Sequence, residues 1–131
     1  MYLVDTNIFI EGLLGQEKAK DVQAFLQNIS LDNIFMTDLS FHSIGIILFR
    51  LKKVDLFLSF INDMIVDGLE ILSLSHEDMT DLSRISQQYN LDFDDSYQYM
   101  VAKKHGLQLI SFDKDFDTLP AKRKEPSEIL Q

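Results

Sequence analysis

The chain has 131 residues, 46% of them hydrophobic and 25% charged, which is the size and composition of one globular domain able to bury its own core. It contains no cysteine, which excludes a disulfide framework and any thiolate metal site. Its formal net charge of −9 excludes nucleic-acid binding through a basic surface, although an acidic cluster that holds a divalent ion can still engage phosphate, because the ion inverts the local field. The opening Met1-Tyr2-Leu3-Val4-Asp5 has no basic region ahead of an apolar stretch. The densest apolar segment, residues 44–49, is far shorter than the roughly 20 residues that span a bilayer. A cytoplasmic protein with no membrane partner is expected.

In chain order, residues 2–4 form a short apolar, β-rich run that ends at Asp5. Thr6-Asn7 then signals a helix start. Val22, Phe25, Leu26 and Ile29 have helical spacing. After the turn at Leu31-Asp32-Asn33, Ile34 to Thr37 reads as a second strand. Asp38 can cap a helix over residues 39–53, apolar on most sides and so expected to be largely buried. Phe57, Phe60, Ile61, Met64 and Ile65 imply one further helix, ended by Asp67-Gly68. Residues 69–74 read as a third strand, and Ser75-His76-Glu77-Asp78 as a helix N-terminus with acids in its first turn. Residues 90–93 read as a loop, and Asp94 or Asp95 starts a helix that ends at His105-Gly106, where glycine suits the C-cap. Residues 107–111 give a fourth strand, followed by a loop with Asp113, Asp115 and Asp117; residues 127–130 offer a short last strand.

Strands alternating with helices imply right-handed crossovers and a parallel sheet covered on both faces, with ligands at the carboxyl ends of strands. Residues 1–131 are therefore expected to form a single α/β domain. Asp5 lies just past the first strand, Asp113 just past the fourth, and Asp95 in the first turn of the helix that leads into the fourth. If the first and fourth strands are neighbours, the three carboxylates converge. Clustered carboxylates repel unless a hard cation neutralises them. Mg²⁺ prefers such oxygen ligands and bridges them to substrate phosphates. A metal held this way supports phosphodiester hydrolysis without histidine or cysteine.

The motifs themselves go further. Leu3-Val4-Asp5-Thr6-Asn7 resembles the opening motif of PIN-domain nucleases. Asp95-Ser96, running through Ala102 to Gly106, resembles that family's third acidic motif. Leu109-Ile110-Ser111-Phe112-Asp113-Lys114-Asp115-Phe116 resembles its T-x-D-x-D-F segment, with Ser111 in place of threonine. Together they cover nearly the whole chain. The resemblance implies a three-layer α/β/α sandwich with strand order 3-2-1-4-5 and Mg²⁺ or Mn²⁺ as cofactor. It also implies cleavage of single-stranded RNA, a homodimer and, as in bacterial toxin–antitoxin toxins, a cognate antitoxin protein. Asp5, Asp95 and Asp113 would be the catalytic, metal-binding acids and Asp115 a further metal ligand, with Thr6, Asn7, Ser43 and Ser111 in support. One position departs from the pattern. Aligning Met36 to Ser43 with the family's second motif puts Ser43 where a glutamate is usual, and a hydroxyl is a poor metal ligand beside carboxylates.

Several of these residues also have structural roles open to them. Asp5 suits a helix N-cap, and Asp94 and Asp95 suit a helix start. Asp115 supports a metal-bound carboxylate from behind or is a turn residue. Asn7 orients a metal-bound water or begins the helix. Thr6 and Ser111 bond the aspartates or cap backbone. His42, His76 and His105 do not form a metal-spaced set. Two rival functions stand beside the nuclease. One is a catalytically weakened PIN-like module that binds RNA or a protein, favoured by Ser43. The other is a receiver- or flavodoxin-like regulatory domain, disfavoured because no phosphoacceptor on a middle strand and no matching lysine are found.

Overall fold

In the computed structural model of the chain, residues 1–130 are described. Four parallel strands form the sheet: β1 (Tyr2–Val4), β2 (Ile34–Thr37), β3 (Glu70–Leu72) and β4 (Gln108–Ile110), in the order β3-β2-β1-β4. Tyr2 pairs with Ile34 on one side and with Gln108 on the other, so β1 is central and the switch in strand order falls between β1 and β4. The helices are α1 (Thr6–Leu13), α2 (Ala19–Asn28), α3 (Asp38–Arg50), α4 (Val54–Phe60), α5 (Met79–Tyr89), α6 (Phe93–His105) and α7 (Pro126–Ile129).

Alternation along the strands divides the apolar residues between two layers, as the period-2 geometry of a strand requires. Val4, Ile34, Met36 and Ile110 face a core with Ile8, Phe9, Val22, Phe25, Ile44, Leu48 and Phe60 from α1 to α4. Leu3 and Leu109 face a second core with Leu82, Tyr97, Tyr99, Val101 and Phe116. This is the expected α/β/α sandwich.

Five expectations about elements are corrected. First, the fifth strand does not form among residues 127–130. Its place beside β4 is taken by a single bridge, Ile110 with Lys124, in which Lys124 N donates to Leu109 O and Ser111 N to Lys124 O. Pro126 then has no N–H for a ladder and its fixed φ favours the first turn of a helix, so the chain turns into α7. The order is thus 3-2-1-4 rather than 3-2-1-4-5. Second, the helix expected through Ile65 is α-helical only to Phe60 and continues as a π-helical turn over Ile61–Val66. Third, α3 is less buried than its composition suggests: Ser40, Ile44 and Leu48 face inward, while Ile46 and Phe49 are exposed. Fourth, Thr37 rather than Asp38 caps α3, its hydroxyl accepting from Ser40 N at 3.0 Å. Fifth, α6 starts at Phe93, with Asp92 as its cap. Gly106, at φ 64°, closes α6 in the left-handed conformation that glycine adopts without a Cβ penalty. Among the described residues no helix is long and apolar enough to cross a membrane.

Candidate active site

Three backbone turns build the site at the carboxyl edge of the sheet. At the end of β1, Asp5 N still donates to Ile110 O (2.9 Å), so Asp5 remains paired to β4 while its side chain turns out at the sheet edge. Its carboxylate also caps α1, with Oδ1 accepting from Thr6 N at 2.7 Å. The structural and functional roles considered for Asp5 therefore fall on the same carboxylate. Beyond β4, the hydroxyl of Ser111, fully buried, donates to Asp5 Oδ2 (2.7 Å) and accepts from Asp113 N (3.0 Å) and Asn7 Nδ2 (3.3 Å). The other end of Asn7 accepts from Phe112 N at 3.2 Å. Asn7 and Ser111 thus tie α1 to the loop that carries Asp113. Thr6 reaches Asp5 through its backbone N–H.

The acidic loop itself is tightly turned. Asp113 Oδ1 accepts from Asp115 N at 2.9 Å. Phe116, wholly buried, pins the loop to the second core. Arg123 clamps its far side: Nε and Nη2 donate to Asp117 at 2.8 and 3.3 Å, and Nη1 donates to Glu125 and to Ser111 O, each at 3.0 Å.

One cleft of about 390 Å³ lies over these turns, lined by Asp5, Asp94, Asp95 and Asp113 and by Thr6, Asn7, Ser40, Ser43 and Gln98, with no lysine, arginine or histidine in its wall among the described residues. Carboxylate oxygens of Asp95, Asp113 and Asp115 come within 4.8 Å of one another. Asp5 lines the same cleft without belonging to that tightest group. The expected convergence of the ends of β1 and β4 and the start of α6 is therefore present, and Asp115 joins it. Asp94, read from the sequence only as a helix-start residue, also faces the cleft. Ser43 lies in the cleft wall with no charge to contribute.

The electrostatics follow from this crowding. Burial is the largest influence on Asp5 and raises its pKa; hydrogen bonds from Ser111 and Thr6 oppose it, and the Asp113 and Asp94 charges add to it. Burial also leads for Asp95, followed by repulsion from Asp92, Asp113, Asp5 and Asp115, and its pKa is pushed up to about 7. A set of oxygen donors held close together against mutual repulsion, with no cationic side chain in the cleft wall among the described residues, fits a hard divalent ion such as Mg²⁺ or Mn²⁺.

Two residues of the site, Gln98 and Ser40, were not found from the sequence. Gln98, 4% exposed, donates from Nε2 to Asp5 Oδ1 (3.2 Å) and, in a short bond, to Ser40 Oγ. Its Oε1 is buried without a partner among the described residues, an arrangement that costs about 1–3 kcal/mol. The available signal was its spacing: Gln98 lies three residues after Asp95 and four after Asp94, on the same face of α6, and is the one amide in the buried run Ser96 to Ala102.

An α/β/α sandwich with an acidic cleft at the strand-order switch belongs to the class of open parallel α/β proteins, whose ligands bind at that point. Residues 2–122 match the family model of the PIN domain, and the chain belongs to that family. No curated protein matches the sequence. Among solved structures, the fold is similar to a chain of a toxin-antitoxin complex from Klebsiella pneumoniae (TM-score 0.75, 19% identity, 96% of this chain and 98% of that one). It is also similar to FitAcB from Neisseria gonorrhoeae (TM-score 0.73, 18% identity, 96% and 98%). A third is VapC20 from Mycobacterium tuberculosis, described as a Sarcin-Ricin loop cleaving toxin (TM-score 0.80, 14% identity, 96% and 100%).

Proposed function

We propose that the protein is a metal-dependent endoribonuclease of the PIN family that cleaves single-stranded RNA and acts as the toxin of a toxin–antitoxin pair. The observation that carries this reading is the meeting of the Asp95, Asp113 and Asp115 carboxylates within 4.8 Å of one another, at a cleft that Asp95 and Asp113 line together with Asp5. Asp5, Asp95 and Asp113 would hold Mg²⁺ or Mn²⁺, with Asp115 as a further ligand. The ion, when bound, supplies Lewis acidity and an acidified water for in-line attack at phosphorus. The protein's own part is to fix the ligands. Ser111 and Thr6 N–H hold the two oxygens of Asp5, Asn7 ties the Asp113 loop to α1, and the Asp115 amide orients Asp113. The acidic wall would repel RNA in the absence of the ion, so substrate binding is expected to need it as well. The names of the similar structures support an antitoxin as partner, and the resemblance to toxin-type relatives supports a homodimer.

The test is cleavage of labelled single-stranded RNA with millimolar Mn²⁺. Slow cleavage is expected, lost in EDTA and lost by at least a hundredfold in Asp5→Asn and Asp113→Asn, consistent with removal of a charge-stabilising group. Equal cleavage by both variants would assign the activity to a contaminant. Ser43 favours a second reading, a non-catalytic module that binds RNA or a protein. If wild type never cleaves and Ser43→Glu does, that second reading replaces the first.

A further inference from the structure

We propose that Gln98 is a positioning residue that holds the Asp5 carboxylate at its set distance from the acids of α6, an inference that rests on the metal-dependent reading above. Gln98 links three elements at one point. It projects from α6, which also carries Asp95, and its two amide N–H groups reach the end of β1 at Asp5 Oδ1 and the first turns of α3 at Ser40 Oγ. The other donors to Asp5 are Thr6 N, next to it in the chain, and Ser111 Oγ, from the loop after β4. Gln98 is thus the donor to Asp5 that comes from the helix bearing Asp95. A neutral amide does this without a positive charge that would compete with the ion.

Packing alone does not account for an amide here. Position 98 lies within a buried run of α6 that includes Tyr97, Tyr99, Met100 and Val101, where an unbranched apolar side chain of the same length would fill the space. The chain instead keeps an amide whose Oε1 has no partner among the described residues. That arrangement is explained if the orientation of Nε2 towards Asp5 and Ser40 is what the position serves. Ser40 completes the geometry: it is 1% exposed and offers the amide its second anchor on α3. Residues that orient a metal ligand commonly change metal affinity about 10- to 100-fold when removed.

The experiment is calorimetric Mn²⁺ titration of wild type and Gln98→Met, with melting curves of both in EDTA. Gln98→Met is expected to weaken Mn²⁺ binding about tenfold, while its melting temperature in EDTA stays within a few degrees of wild type. A merely structural role gives the opposite pattern, a lower melting temperature with unchanged affinity in the folded protein, and overturns the proposal. If Gln98→Met does not fold, Ser40→Ala takes its place. That variant removes the second anchor of the amide and leaves Asp5 untouched, and is expected to weaken Mn²⁺ binding about threefold by the same ligand-orienting effect; unchanged affinity overturns the proposal. Wild type that binds no Mn²⁺ overturns the metal-dependent reading and this inference with it. Wild type that binds, beside a variant that binds equally well, overturns this inference alone.

Discussion

Asp95 carries the most readable residue-scale consequence of the site. Its carboxyl moves from an ordinary 3.8 to about 7, through burial first and then through the charges of Asp92, Asp113, Asp5 and Asp115. Between those two values the unfolded chain has released a proton that the folded chain keeps, so the folded state binds more protons and its stability falls as pH rises. The stabilisation is full below about pH 4 and lost by about pH 7. The raised pKa of Asp5 acts in the same direction. Asp95→Asn removes the charge and no side-chain hydrogen bond to a described residue, since the helix-capping bond runs from its backbone N–H to Asp92. After solvent screening, the variant is expected to stabilise the metal-free protein at pH 8 by about 1 kcal/mol, or about 4 °C in melting temperature. Melting in EDTA at pH 5 and pH 8 checks both parts. An Asp95→Asn protein that melts lower than wild type at pH 8 would show that this carboxylate stabilises the fold, and the crowded site as described would be wrong.

At the scale of elements, the short loop after β4 decides whether the acids meet. Besides Asn7 and Ser111, two residues hold it: Phe116 from the core side and Arg123 from the solvent side. Phe116 is fully buried, and Phe116→Ala is expected to cost about 3–5 kcal/mol by cavity formation. Arg123 has a side chain only 11% exposed and bonds Asp117, Glu125 and Ser111 O together. Arg123→Met leaves Ser111 O and the half-exposed Asp117 carboxylate without this partner, while Glu125 keeps Lys18, for an expected loss of about 1 kcal/mol. Denaturant titration measures both. The two should differ in function as well: Arg123→Met loosens the backbone at Ser111 and is expected to reduce RNA cleavage severalfold even at temperatures where the protein is fully folded. Unchanged cleavage in folded Arg123→Met would mean that Asn7 and Ser111 position the loop without it.

For the whole molecule, binding of Mn²⁺ to the folded state alone would shift the unfolding equilibrium, with about 2.7 kcal/mol gained at a hundredfold excess over Kd. Wild type is expected to melt several degrees higher in Mn²⁺ than in EDTA, and Asp113→Asn to gain less. An equal gain in both would place the bound ion elsewhere. The homodimer expected from the family resemblance needs an apolar surface, and α3 and α4 leave Ile46, Phe49 and Leu58 at least half exposed. Light scattering should give the mass of a dimer. A monomer at high concentration removes that expectation.

Much of this protein was legible from local pattern. The period of the apolar residues located the strands and helices, because a strand or helix with one buried face must repeat at 2 or 3.6 residues. Asp5, Asp95 and Asp113 could be marked as candidates because each sits at the end of a strand or the start of a helix, positions that neighbouring residues alone define. Other features depended on groups brought together from distant parts of the chain. The strand expected at residues 127–130 turned on whether Pro126 follows a ladder or ends one, which Lys124 settled by pairing with Ile110 for a single residue. The partly exposed face of α3 depended on where α4 packs. Gln98 looked like one more helix residue until Asp5, 93 positions earlier, and Ser40, 58 positions earlier, were placed beside its amide. A hydrogen bond across such a separation leaves no periodic trace in the sequence, because its geometry exists only once the sheet and its covering helices have packed.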